Sequence, residues 1–230
     1  TGEVEIGTRN IKVALRRLRK FAREGAEDEF DLDETVSSTA RNAGLLEVKM
    51  RPERRNRVKV LMFLDVGGTM DPHVRVSEEL FSAAKAEFKH LEYFYFHNFL
   101  YERVWRDNRR GRNEFMPTWE VLNTYSSDYK IIFVGDATMS PYEVTEPGGS
   151  VEHWNDESGA VWMQRMIDQF PDIVWLNPEA PERWPQTMST QLIYKLIGNR
   201  MFPMTLDGLD RAMDVLRKRN RQRNQPIQTQ

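Results

Sequence analysis

Residues 58–69 decide the fold, and they read Val-Lys-Val-Leu-Met-Phe-Leu-Asp-Val-Gly-Gly-Thr. The run from position 58 to position 64 is almost wholly apolar, which is typical of a strand buried on both faces of a parallel sheet. Asp65, Gly67, Gly68 and Thr69 then follow at the carboxyl end of that strand. Because open α/β sheets bind ligands at this edge, the stretch predicts a central strand with a polar site at its end.

Strand and helix patterns alternate over residues 57–219, which predicts one α/β domain there. The predicted strands are 58–64, 91–97, 100–105, 131–134, 173–176 and 201–203. The predicted helices are 74–89, 117–123, 158–170, 190–197 and 205–219. The link between the second and third strands is too short for a parallel crossover, so that pair must be antiparallel. We therefore expect a doubly wound, mostly parallel six-stranded sheet with helices on both faces.

The flanking residues predict an N-terminal extension and a C-terminal tail. Residues 1–56 are expected to form a helical extension that ends in a hairpin arm. A basic helix at 9–23, a short helix stopped by Gly44 and an alternating strand at 46–50 make up this extension. Residues 220–230 are expected to form a polar tail.

The composition excludes several functional classes. The chain has 230 residues and no cysteine, so disulfides, thiolate catalysis and cysteine-bound zinc are excluded. Its formal net charge of -2 does not favour nucleic-acid binding, for which a basic footprint is expected. No apolar run approaches the roughly 20 residues that span a bilayer, and no secretory signal is visible. These features predict a cytoplasmic protein without a membrane span.

Three segments are expected to meet at the carboxyl edge of the sheet. Asp65 and Thr69 follow the first strand. Thr118 lies at the entry to the helix that precedes the strand at 131–134, and Asp136 follows that strand. Two carboxylates at one edge repel each other unless a cation or a proton lies between them. Carboxylate and hydroxyl oxygens suit Mg²⁺ or Mn²⁺, so we expect one of these ions. The alternative is that the two aspartates only cap helices and accept hydrogen bonds from loop amides.

This layout resembles a von Willebrand factor type A domain, and more closely its CoxE-like branch. The family's first motif is Asp-x-Ser-x-Ser, which forms a metal-ion-dependent adhesion site. The resemblance implies that Asp65, Thr69, Thr118 and Asp136 are metal ligands. Gly67 stands where the family has its middle serine. Water would take the place of the missing hydroxyl and bind the ion more weakly.

The resemblance implies a binding protein rather than an enzyme. CoxE-like proteins usually act beside a MoxR-type AAA+ ATPase in the maturation or remodelling of proteins and their metal cofactors. A chaperone-like adaptor of this kind would leave one metal coordination position open. An Asp or Glu of a client protein would complete it, and the N-terminal extension would offer a second contact surface.

Two other functions remain open from the sequence. Asp65 could be the nucleophile of a metal-dependent phosphohydrolase, although such enzymes need an aspartate where this chain has Gly67. Arginine clusters at 51–57 and 217–223 could instead bind RNA. The long loop at 137–157 should overhang the site, either as a recognition surface or as a cover in which Tyr142 and Trp154 pack down.

Overall fold

The structure, a computed structural model, describes residues 8–21, 29–42, 44–51, 58–109, 111 and 114–223. The helices are α1 Thr8–Phe21, α2 Leu32–Arg41, α3 Val74–Glu87, α4 Thr118–Thr124, α5 Pro141–Thr145, α6 Gly159–Gln169, α7 Met188–Leu196 and α8 Leu206–Arg223. The strands are β1 Glu29–Phe30, β2 Met50–Arg51, β3 Lys59–Asp65, β4 His90–Phe96, β5 Arg103–Trp105, β6 Phe115–Pro117, β7 Lys130–Val134, β8 Ile173–Asn177 and β9 Met201–Pro203. Short 3₁₀ helices occupy Gly68–His73 and Pro181–Gln186.

Seven strands form the main sheet, in the order β6-β5-β4-β3-β7-β8-β9. Five neighbouring strands of the sheet pair in parallel, in the order β4, β3, β7, β8 and β9. Strand β5 pairs antiparallel with both β4 and β6. The prediction of an α/β, mostly parallel sheet is confirmed at this level. The predicted count of six strands is wrong, because Phe115–Pro117 adds an edge strand. The antiparallel edge therefore contains two pairings rather than a single hairpin.

Strand β3 lies at the centre of the sheet and is buried on both faces. Val60 and Met62 pack into a core beneath α1, α3 and α8. Leu61 and Phe63 pack into a second core that includes residues of α4, α6 and α7. The rings of Phe63 and Phe133 stack there at 4.8 Å between centroids, which ties β3 to β7. Burial on both faces explains why the sequence of β3 is apolar almost without alternation.

Helix α1 packs against α3 and α8, although it precedes the predicted domain boundary at residue 57. Its residues Ile11, Leu15 and Leu18 are buried in the same core as Val60 and Met62 of β3. On the rim of this contact, Arg16 pairs with Glu87 at 2.9 Å and Arg17 pairs with Asp210 at 2.7 Å. Helix α1 is therefore part of the layer that covers one face of the sheet.

The rest of the N-terminal segment differs in detail from the predicted arm. Only the last residue of the predicted strand at 46–50 is in a strand, and β2 pairs antiparallel with β1. Leu46 and Val48 are exposed, so their alternation with polar residues reflects no sheet face. Most of the arginine cluster at 51–57 lies outside the described residues.

Two further observations concern the helices. Helix α8 continues to Arg223, beyond its predicted end at 219, and residues 224–230 of the predicted tail lie outside the described part of the chain. None of the helices in the described ranges combines the length and the hydropathy of a bilayer-spanning segment.

Candidate functional site

Asp65 ends β3 and Asp136 follows β7, at the point where the strand order reverses. Strands β3 and β7 pair in parallel up to Leu64 and Val134, so Asp65 and Gly135 come next to each other at this edge. A Cβ at Gly135 would lie only 3.1 Å from Asp65 Oδ2. Glycine at 135 therefore gives the Asp65 side chain room against β7. The predicted meeting of these two segments is observed.

The Asp65 carboxylate holds two loops together. Its Oδ1 accepts hydrogen bonds from the backbone N–H groups of Gly67 at 2.8 Å and of Asn98 at 2.9 Å. The side chain is buried, with 6% of its residue surface exposed. Asp65 thus accepts loop amides, as the alternative interpretation of the sequence expects. This role fixes the carboxylate in place and leaves it compatible with a cation.

Thr69 and Asp136 lie close together at the site. Thr69 lies in the first turn of the 3₁₀ helix after β3, and its hydroxyl is near enough to the Asp136 carboxylate to lower the pKa of that carboxyl. Asp136 is buried, and its Oδ1 also accepts the N–H of Thr138 at 2.8 Å. Ala137, which lies between Asp136 and Thr138, adopts a left-handed φ of 58°. The Ser189 hydroxyl donates a hydrogen bond to the Ala137 carbonyl at 2.8 Å. These contacts hold the loop after β7 against α7.

The electrostatic surroundings disfavour the ionised form of Asp136. Burial raises the pKa of the Asp136 carboxyl above its usual value, and the Glu179 carboxylate contributes to the rise. The N–H of Thr138, the hydroxyl of Thr69 and the His73 ring lower this pKa without cancelling the effect of burial. A divalent cation at this edge would favour the ionised carboxylate and reverse the effect of burial.

Thr118 is held differently from the other predicted ligands. It is fully buried at the start of α4, and its hydroxyl donates to the Tyr101 carbonyl at 2.5 Å. Its backbone N–H donates to the Glu102 carbonyl at 2.8 Å. Since the hydroxyl proton is used in this way, Thr118 could offer an ion only the remaining acceptor capacity of its oxygen. Its clearest role is to fix the loop that follows β4.

Asn98 and Glu143 belong to this site, although sequence reasoning assigned neither of them a role. Asn98 follows β4 with a left-handed φ of 57° and donates from Nδ2 to Glu143 Oε2 at 2.9 Å. Glu143 is only 2% exposed and sits in the first turn of α5. The sequence feature that could have indicated a role for Asn98 is its position, because it follows the carboxyl end of the strand beside β3.

The loop at 137–157 exposes two aromatic side chains. Tyr142, next to Glu143, is 68% exposed, and Trp154 is 72% exposed. The Trp154 ring lies over Gly148, where a Cβ would come within 2.5 Å of it. Of the two interpretations of this loop, the exposure of these two side chains agrees better with a recognition surface than with a tightly packed cover.

The donor set suits a hard cation. The glycines at 67 and 135 bring backbone close to Asp65, and carboxylate and neutral oxygens surround it. Within the described ranges, no group of three or more His, Asp or Glu side chains could hold a metal ion. An ion here would therefore rely on two carboxylates and on neutral oxygens.

Comparisons with known proteins found no matching family model, curated protein or solved structure. The resemblance to CoxE-like proteins accordingly stays a prediction.

Proposed function

We propose that this protein is a binding adaptor with a metal-ion-dependent adhesion-type site at the carboxyl ends of β3 and β7. One observation carries the proposal: the buried carboxylates of Asp65 and Asp136 lie at the ends of two neighbouring parallel strands, and the Thr69 hydroxyl is near enough to lower the pKa of Asp136. Mg²⁺ or Mn²⁺ would be held by Asp65, Thr69 and Asp136, with Thr118 supporting the neighbouring loop. Waters would fill the other coordination positions, as is usual for Mg²⁺ in proteins.

The open side of such a site suits an acidic partner group. A carboxylate of a client protein would replace a metal-bound water, which makes recognition depend on the ion. The exposed rings of Tyr142 and Trp154 would add apolar contacts around that bond, and aromatic residues are enriched among residues that dominate interface energies. This combination supports protein binding over catalysis.

The CoxE-like resemblance supports a more specific role. A MoxR-type AAA+ ATPase would be the working partner, and the maturation or remodelling of proteins or metal cofactors would be the process. A phosphohydrolase is less well supported, since the residue two positions after Asp65 is a glycine whose surroundings are filled by Asn98.

The test begins with calorimetry. Metal-free protein is titrated with MgCl₂ and with MnCl₂, and Asp65→Ala is compared with Asp71→Ala. Asp71 is an exposed aspartate in the 3₁₀ helix that follows β3, so it controls for loss of one negative charge. We expect Asp65→Ala to abolish binding and Asp71→Ala to retain it.

Capture of a purified MoxR-type AAA+ ATPase from the same organism is the second step. With Mg²⁺ and a non-hydrolysable nucleotide present throughout, wild type and Asp71→Ala should retain the ATPase, and Asp65→Ala should not. Absence of metal binding by the wild type, together with equal capture by all three proteins, would show that the metal-bridged mechanism is wrong.

A further inference from the structure

The side-chain amide of Asn98 fills the space beside Gly67. A Cβ at Gly67 would lie 2.2 Å from Asn98 Oδ1 and 3.3 Å from Asp65 Oδ1. The backbone of Gly67 is at φ -63° and ψ 155°, which any residue can adopt. Glycine is therefore required at this position by the neighbouring amide and not by the backbone conformation.

Hydrogen bonding fixes which end of the amide faces Gly67. Asn98 Nδ2 donates to Glu143 Oε2 at 2.9 Å, and the nitrogen of a side-chain amide can only donate hydrogen bonds. The amide nitrogen must therefore face Glu143, and the carbonyl oxygen must face Gly67. Glu143 is itself held, because its Oε1 accepts the N–H of Ser140 at 3.3 Å in the capping box of α5.

The backbone of Asn98 places this oxygen beside the predicted metal ligand. Its N–H donates to Asp65 Oδ1, and its left-handed φ of 57° is one that asparagine tolerates better than most residues. Asp65 thus fixes the backbone of Asn98, and Glu143 fixes its side-chain amide.

We propose that Asn98 Oδ1 is a neutral oxygen ligand of the bound cation and replaces the hydroxyl that the chain lacks at Gly67. This inference rests on the proposed metal site. It alters the expectation drawn from sequence, in which a water occupies that coordination position. A protein oxygen that is already oriented would support tighter binding than a water that must be immobilised. Amide oxygens are hard donors, so the replacement keeps the preference for Mg²⁺ or Mn²⁺.

The test uses calorimetric titration of the full chain with MnCl₂ and MgCl₂. Asn98→Gly removes the amide and retains the left-handed backbone, which glycine adopts readily. The double variant Gly67→Ser with Asn98→Gly puts a hydroxyl into the space that the amide leaves. Asn199→Gly is the matched control, because Asn199 also has a left-handed φ, 59°, in the turn between α7 and β9. Asp65→Ala reports on the site as a whole, and circular dichroism confirms that each variant is folded.

We expect Asn98→Gly to weaken Mn²⁺ binding by about tenfold or more, by analogy with the loss of groups that orient metal ligands. The double variant should recover most of the affinity, and Asn199→Gly should bind like the wild type. A purely structural role for Asn98 would give no recovery in the double variant, and that result would overturn the inference.

The outcomes separate this inference from the proposed function. If Asp65→Ala abolishes binding while Asn98→Gly binds like the wild type, the adhesion-type site stands and the role of Asn98 is wrong. If Asn199→Gly weakens binding as much as Asn98→Gly, the effect is general and the inference fails. If the wild type binds neither ion, both proposals fail together.

Discussion

Replacing Gly67 by alanine should destabilise the fold through one contact. The new Cβ would lie 2.2 Å from Asn98 Oδ1, whereas carbon and oxygen atoms in contact usually lie more than 3 Å apart. Asn98 could move away only by releasing Glu143 Oε2, which now accepts its Nδ2–H at 2.9 Å. Leaving a buried hydrogen-bond partner unsatisfied costs about 1–3 kcal/mol, and overpacking costs about 1–3 kcal/mol. Because movement of the amide relieves the overpacking but breaks the hydrogen bond, we expect the free energy of unfolding to fall by about 1–3 kcal/mol.

Urea unfolding followed by tryptophan fluorescence measures this loss. Gly68→Ala is the matched control, because a Cβ at Gly68 would meet no atom within 4 Å. That substitution should be neutral or stabilise the protein by up to about 1 kcal/mol through the unfolded state. Adding Asn98→Gly to Gly67→Ala should remove most of the clash and give a clear coupling energy. If Gly67→Ala and Gly68→Ala unfold at the same urea concentration, the amide of Asn98 does not lie beside Gly67.

Three further predictions concern the core and the second aspartate. Leu15→Ala should reduce the free energy of unfolding by about 2–5 kcal/mol, because Leu15 of α1 is fully buried in the core. Lys130→Met should cost about 3–5 kcal/mol, since it leaves the buried Asp172 carboxylate without its ion-pair partner. Asp136→Asn should stabilise the metal-free protein at pH 7, because burial raises the pKa of Asp136 and its ionised form opposes folding. Urea midpoints measure all three changes.

Each of these predictions has its own control. Val13→Ala, on the half-exposed side of α1, should change stability by less than about 0.5 kcal/mol, and an equal loss at both helix positions would contradict burial of α1. Lys59→Met breaks an exposed pair with Asp128 and should cost less than about 1 kcal/mol. The advantage of Asp136→Asn should shrink as the pH falls through the raised pKa towards the usual 3.8, where the wild-type carboxyl is protonated. A pH-independent difference would contradict the role of charge.

The parallel core of the fold could be predicted because its signals are local. The solid apolar run of β3 and the helical spacing of apolar residues in α1 and α3 each follow from burial of a face. The neighbouring position of Asp65 and Asp136 then followed from the reversal of strand order in a doubly wound sheet. Length and order of elements were sufficient for that step.

The edge strand β6 could not be predicted in the same way. It has three residues, ends at a proline, and forms against β5 with the Arg103 guanidinium 4.6 Å from the Phe115 ring. Its signal is therefore the neighbouring strand rather than its own pattern. At Leu46 and Val48 the error was the opposite, because a strand was predicted where none forms. These residues alternate with polar ones as in a strand, but both side chains are exposed.

The role of Asn98 was equally hidden from local patterns. Its significance depends on a hydrogen bond to Glu143, 45 residues away, and on a close approach to Gly67 from another strand. The sequence alone suggested that Gly67 removes a ligand oxygen. In the structure, the glycine makes room for a different side-chain oxygen.

Anomalous diffraction from crystals grown with saturating MnCl₂ tests the central claim most directly. The proposed site predicts one strong Mn²⁺ peak at the carboxyl ends of β3 and β7, bounded by Asp65, Thr69 and Asp136, with Asn98 Oδ1 at a coordination distance of about 2.0–2.2 Å. A map with no peak at this edge, or with Mn²⁺ bound only elsewhere on the protein, would contradict the account.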